Sequence, residues 1–155
     1  YLENKVPTLG ECRGKLVLMR RCKVKKRYKK SIKCGLDFSE WKDQAKKKTV
    51  ALPVILSEDT KAIVQDRYGL TPKIKWQCSK KYLDTAFVSP NDLALHYIST
   101  SAKTDGSLVG TAEYINGEFM QYPLKAKKGW IFCDFPSEKL IEKIMMSNIE
   151  KSETV

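Results

Sequence analysis

The sequence contains little histidine and no cysteine motif typical of a metal site. Of its 155 residues, one is histidine and five are cysteine, and the cysteines form neither a CxxC pair nor a cluster with histidine. A structural zinc site needs four closely spaced thiolate or imidazole ligands, so the sequence speaks against one. The odd cysteine count also supports no complete disulfide framework, and the redox compartment stays open.

Long apolar runs and nucleotide-binding loops are missing as well. No stretch approaches the roughly 20 apolar residues that a membrane-spanning helix needs. The first residues contain no apolar core of a signal peptide. No GxGxxG or GxxxxGK[ST] loop is present, so a nucleotide-binding fold has no support. With 42% hydrophobic residues, the chain can still bury the core of one ordinary domain.

Positive charge is the feature in excess. The formal net charge is +11 at pH 7, which predicts attraction to an anionic partner such as nucleic acid, an acidic lipid surface or a phosphorylated substrate. Charge alone does not choose among these partners. The lysine tracts Lys23–Lys30 and Lys46–Lys48 are predicted to be loops.

Short apolar runs alternate with segments of helical character, which predicts an α/β fold with a parallel sheet. The predicted strands are Lys15–Arg21, Ala62–Asp66, Asp92–Ser99 and Gly129–Asp134. The predicted helices are Pro72–Asp84, Gly110–Tyr122 (interrupted by Gly117) and a last helix capped by Ser137, in which Leu140, Ile141, Ile144 and Met145 form one packed stripe. The segment around Pro53 is predicted to be an edge hairpin or an insertion, because proline removes a ladder amide.

Polar residues stand where each predicted strand stops. They are Arg20 and Arg21, then Asp66, Arg67 and Tyr68, then Ser99, Thr100 and Ser101, and finally Asp134. Strands often end in polar residues simply because they leave the core there. If the strands are parallel, however, these groups meet at the carboxyl edge of the sheet, where ligands bind in such folds. An arginine, two carboxylates, a tyrosine and hydroxyls suit a polyhydroxylated, anionic ligand.

Six segments occur in an order that matches a known family. They are LGECRGKLVLMRR, GLDFSEW, IVQDRY, PNDLALHYISTS, AEYIN and GWIFCDF. In this order they resemble the C-terminal half of the bacterial-type phosphatidylinositol-specific phospholipases C, relatives of the eukaryotic phospholipase C X-domain. IVQDRY is close to the family pattern V-Q-D-[KR]-Y, and the resemblance covers most of Leu9 to Ile149.

The resemblance implies a distorted TIM (β/α) barrel, a fold that usually takes about 250 residues. This chain has room for only the last four strands. We therefore expect residues 1–155 to form a single partial domain, the C-terminal half-barrel with helices on the outside of parallel strands. The N-terminal half, where the family keeps its catalytic histidines, would belong to a larger protein.

The implied chemistry is cleavage of phosphatidylinositol to diacylglycerol and a cyclic inositol phosphate, with the 2-hydroxyl of inositol as the nucleophile. By resemblance, Arg21 and Asp66 bind inositol hydroxyls and Tyr68 covers the face of the ring. Asp134 orients a catalytic histidine from the other half, and Trp41 is a pocket or membrane-facing residue. The single histidine, His96, is interpreted as structural, so this fragment alone is expected to be inactive.

The resemblance also implies a metal-independent reaction without cofactor, although the family's eukaryotic cousins use calcium and that alternative stays open. The expected partner is phosphatidylinositol or glycosylated phosphatidylinositol at a membrane surface, with no specific nucleic acid. The full-length protein is expected to be a monomer, secreted or peripheral to a membrane. Two alternatives stay open: a non-catalytic basic module that binds acidic lipid or nucleic acid, and a catalytically dead relative that senses lipid.

Overall fold

A computed structural model of the protein describes residues 1–28, 33–45, 51–85, 92–101, 107–125 and 128–149. Within these ranges the strands are β1 (Met19–Arg20), β2 (Leu36–Asp37), β3 (Leu52–Ser57), β4 (Thr60–Gln65), β5 (Leu93–Tyr97) and β6 (Trp130–Phe132). The α-helices are α1 (Leu9–Cys12), α2 (Pro72–Thr85), α3 (Leu108–Gln121) and α4 (Glu138–Met146). A short 3-10 helix, Lys26–Tyr28, lies in the tract Lys23–Lys30 that was predicted to be a loop. The lysine tract Lys46–Lys48 lies outside the described residues.

The strands form a mixed sheet with a parallel centre. Its order is β3-β4-β5-β6, and a separate parallel pair joins β1 to β2. The pairs β4–β5 and β5–β6 are parallel, whereas β3 runs antiparallel to β4. Pro53 lies on β3 at the sheet edge, as its missing amide requires. The predicted α/β class with parallel strands is thus confirmed, and the segment around Pro53 forms the edge hairpin that was one of its two predicted forms.

Two apolar cores cover the two faces of the sheet. Because side chains of a strand alternate between faces, Leu93 and Leu95 of β5 pack into a core with β2, β3 and β4. The second core lies under the three longer helices and contains Trp76, Leu83, Ile115, Phe119 and Leu140. Beside it, the His96 ring of β5 contacts Tyr82 of α2. Both faces of the sheet are therefore packed, which gives the residues at its carboxyl edge a rigid support.

The first predicted strand is wrong over most of its length. Only Met19 and Arg20 pair with β2, and Leu16 and Leu18 are 92% and 51% exposed. The reason is alternation: Val17 and Met19 pack against the first core, so the leucines between them point the other way. The apolar run is therefore half-buried rather than buried.

The helices also differ from their predictions. Helix α3 continues through Gly117 instead of being interrupted, because the buried Ile115 and Phe119 anchor it on either side. Helix α4 buries Leu140 completely but leaves Ile141 and Met145 at 44% and 60% exposure. The predicted stripe on α4 is therefore only partly packed in the described residues.

Gly129 allows β6 to approach β5. Its φ is +93°, and a Cβ placed there would lie 2.3 Å from the carbonyl oxygen of Ala94. Only glycine fits both the backbone conformation and the close contact.

Candidate functional site

The polar residues that follow β4, β5 and β6 share one edge of the sheet, which we call the rim. Because these three strands are parallel, Asp66, Thr100 and Asp134 all emerge there. The Thr100 amide donates to Asp134 Oδ2 at 3.3 Å, and the Ser101 amide donates to the carbonyl oxygen of Tyr68 at 3.2 Å. The structure therefore brings the loops that carry Asp66, Tyr68 and Asp134 into contact.

Arg21 and Trp41 join the rim from β1 and β2. The Arg21 guanidinium lies 4.3 Å from the centroid of the Trp41 ring, and its Nη2 donates to the Trp41 carbonyl oxygen at 3.4 Å. The indole is 8% exposed and packs 5.2 Å from the Tyr97 ring at the end of β5. A buried indole does not fit the membrane-facing alternative. The buried Trp41 ring instead fixes the position of the exposed Arg21 guanidinium that packs on it.

Asp66 is a half-buried carboxylate held in a field of several charges. Burial raises the pKa of Asp66, and Lys75 and Arg21 act in the opposite direction, while Asp43 adds to the rise. The Asp66 amide donates to Gln44 Oε1 at 3.1 Å. Gln44 is fully buried and donates from Nε2 to the Val64 carbonyl oxygen at 3.0 Å. The backbone that presents Asp66 is thus fastened to the loop after Trp41.

Tyr68 is tied to a carboxylate that the sequence did not reveal. Its phenol donates to Asp43 Oδ1, and this bond raises the pKa of Tyr68. Asp43 and Gln44 stand in a short polar loop without any periodicity, so no pattern in the sequence indicated them. They place the loop after Trp41 beside the VQDRY turn.

An aromatic stack forms one side of the rim. The Tyr97 ring lies between Trp41 and Phe132, and it stacks on Phe132 at 4.3 Å with an interplanar angle of 5°. Burial raises the pKa of Tyr97 to about 12, with Asp66 adding to the rise and Arg21 opposing it. Tyr97 therefore stays neutral and adjoins the same two charged groups. It was not among the predicted site residues.

Lys75 was also missed, although the sequence carried a signal for it. Its side chain is 0% exposed, and Nζ donates to Gln65 Oε1 at 3.2 Å. Burial lowers the pKa of Lys75 to about 8 against the attraction of Asp66 and Asp134. The signal is spacing: Lys75 shares a helical stripe with Cys78, Ser79 and Tyr82, all of which are buried.

Asp134 lies at the rim but has no imidazole to orient within this chain. Its carbonyl oxygen accepts from Asn116 Nδ2 at 2.9 Å, which ties the end of β6 to α3. The single histidine, His96, is fully buried and its Nε2 donates to the Lys128 carbonyl oxygen. Burial lowers the pKa of His96 to about 4. His96 therefore occupies a structural position, and the role of Asp134 stays a prediction.

Within the described ranges, no three His, Cys, Asp or Glu side chains cluster in a way that would hold a metal ion. None of the helices there is both long and apolar enough to cross a bilayer. The expectations about metals and cofactors stay predictions.

The chain is similar to a phosphatidylinositol-specific phospholipase C. The solved structure is that of the Staphylococcus aureus protein, from work on the modulation of its membrane binding, with a TM-score of 0.71 and 25% sequence identity. The match covers 95% of this chain and 53% of the S. aureus chain, so the chain spans about half the length of that protein. No family model and no curated protein sequence matches it.

Proposed function

We propose that the chain is the inositol-binding half of a phosphatidylinositol-specific phospholipase C-like phosphodiesterase acting at a lipid surface. One observation carries the proposal: Arg21, Asp66 and Tyr68 lie near enough to one another to interact electrostatically, in a fold similar to that of the S. aureus enzyme. A guanidinium, a carboxylate and a phenol ring suit the three features of the headgroup. These are a phosphate, a set of vicinal hydroxyls and an apolar ring face.

Each group has a definite task in the proposed site. Arg21 rests one face on Trp41 and remains exposed, so its outward N–H groups can donate to an inositol hydroxyl and balance the neighbouring phosphate charge. Asp66 accepts hydrogen bonds from ring hydroxyls. The hydroxyl oxygens of Thr100 and Ser101 are buried and have no hydrogen-bond partner within the described part of the chain. Such groups at a rim are suited to a polar ligand.

The proposed reaction needs more than this chain supplies. The 2-hydroxyl of inositol attacks phosphorus, the diacylglycerol oxygen leaves, and a cyclic inositol phosphate forms. A general base must take the hydroxyl proton and a general acid must protonate the leaving oxygen. The one histidine of the chain is buried away from the rim. We infer that a complementary half completes a barrel against the edge strand β6, supplies both groups, and uses Asp134 to orient an imidazole.

Binding of inositol 1-phosphate, compared with glycerol 3-phosphate, tests the proposal by calorimetry. We expect preference for the inositol compound and a loss of about tenfold or more on Asp66→Asn, because hydrogen bonds to a charged group contribute roughly 1.5–3 kcal/mol. Asp92→Asn is the matched control, since Asp92 pairs with Lys61 at 3.7 Å at the opposite edge of the sheet. Equal binding of both phosphates with steep salt dependence would instead favour the basic-module alternative.

A further inference from the structure

A lysine lies completely buried beneath the rim. Lys75 is on the first turn of α2 with 0% exposure. Lysine is almost never fully buried unless it is paired, since removing an ammonium from water is costly. The chain has 29 lysines and arginines, so a surface position for positive charge is not scarce. The burial of this one calls for a local reason.

Gln65 is the direct partner of Lys75 and connects it to the rim. Gln65 Oε1 accepts from Lys75 Nζ at 3.2 Å and from the Arg67 amide at 3.0 Å. Gln65 Nε2 donates to the Tyr97 carbonyl oxygen at 3.0 Å and to Ser79 Oγ at 3.1 Å. This one side chain therefore joins the ends of β4 and β5 to α2. It also shapes the turn that presents Asp66 and Tyr68.

The charges that face Lys75 come from two loops, after β4 and after β6, and from its own helix. Asp66 and Asp134 attract its ammonium, Arg67 repels it, and Cys78 lies on the next turn of α2. Among the described residues, neither aspartate forms an ion pair with Lys75 within 4.0 Å. Lys75 thus acts on both carboxylates through the field of a poorly hydrated region, where charges interact more strongly than in water.

We propose that Lys75 is a positioning residue of the headgroup site, holding Gln65 in the turn of Asp66 and Tyr68 and sharing its charge between Asp66 and Asp134. The part of this inference that concerns headgroup binding rests on the proposed function. Because burial lowers the pKa of Lys75 to about 8, this counter-charge is lost in mildly alkaline solution. Both aspartates then face an anionic headgroup without the charge of Lys75, and Arg21 is the counter-charge that Asp66 retains.

The first test follows the aspartate carboxyl carbons by NMR as pH changes in the full chain. In Lys75→Met and Lys75→Gln, the pKa of Asp66 is expected to rise, because the attracting charge is gone in both. Lys75→Gln retains a donor for Gln65, so the Arg67 and Tyr68 amide shifts should be disturbed less than in Lys75→Met. The control is Lys73→Met, an exposed lysine on the same turn. An unchanged Asp66 pKa in both variants would overturn the proposal.

The second test needs only the wild-type chain, so it does not depend on whether a variant folds. The affinity for inositol 1-phosphate is expected to fall by about fivefold between pH 7.5 and 9.5, a range above the phosphate pKa of roughly 6. The Lys75 Cε signal should titrate over the same range. A constant affinity while Lys75 titrates would contradict its role. No binding at any pH, with the Asp66 response intact, would refute the proposed function and leave the charge coupling standing.

Discussion

Replacing Lys75 by methionine is expected to stabilise the fold at neutral pH. Burial lowers the pKa of Lys75 from 10.5 to about 8, which corresponds to an unfavourable contribution of about 3 kcal/mol at roughly 1.4 kcal/mol per pH unit. Methionine has a similar length and no charge. Gln65 Oε1 retains the Arg67 amide at 3.0 Å, so the substitution leaves no buried acceptor without a donor. The free energy of unfolding should therefore rise by up to this amount.

The lowered pKa of Lys75 also makes the stability advantage of Lys75→Met depend on pH. Between pH 8 and 10.5 the unfolded chain binds a proton at Lys75 that the folded chain has lost, so wild-type stability gains with rising pH in that window. The penalty is complete below about pH 8 and gone above about pH 10.5. The advantage of Lys75→Met should shrink accordingly.

Urea unfolding at pH 7 and pH 10.5 measures this difference. Wild type and Lys75→Met share every other titrating group, so those effects cancel in the comparison. The control Lys73→Met removes an exposed lysine of the same helix instead. A Lys75→Met variant that is no more stable than wild type at pH 7, or equally favoured at both pH values, would refute a buried-charge penalty at Lys75. If the loss of Lys75 stabilises the fold, Lys75 shows the usual trade-off between stability and function, in which a charged binding-site residue lowers the stability of the protein.

Three further predictions concern the core, the rim and the reaction. Because burial lowers the pKa of His96 from 6.5 to about 4, wild-type stability is retained above pH 6.5 and falls by up to about 3 kcal/mol towards pH 4; urea unfolding of His96→Gln should show a flatter dependence. Trp41→Ala should lower the free energy of unfolding by about 3–5 kcal/mol. Trp41→Phe should mainly weaken inositol 1-phosphate binding, and calorimetry would distinguish this loss of affinity from a loss of stability. The chain alone should not hydrolyse phosphatidylinositol vesicles, and turnover abolished by His96→Gln would contradict the structural role of that histidine.

Much of the rim was predictable because strand ends are visible in the sequence. A short apolar run followed by Asp66 and Tyr68, or by Asp134, indicates both a strand and the polar group that leaves it. The parallel pairing of β4, β5 and β6 then places those groups together. The first apolar run was predicted wrongly because Leu16 and Leu18 alternate with the inward-facing Val17 and Met19. Composition alone does not show which face of such a run packs against the core.

The supporting residues were harder to predict. Asp43 and Gln44 act through single hydrogen bonds from a loop, and loops have no period that indicates which side chains turn inward. Lys75 lies on a buried helical stripe, but a lysine in such a stripe is usually interpreted as exposed. Only the structure shows that the Lys75 ammonium donates a hydrogen bond to Gln65 Oε1.

The most direct test of the account is an amide chemical-shift map of the full chain titrated with inositol 1-phosphate. If Arg21, Asp66 and Tyr68 form one headgroup site, their amides should shift together with a single dissociation constant, and the loop at Asp43 should follow. Shifts spread over the lysine-rich segments, and reproduced by any polyanion, would contradict the account.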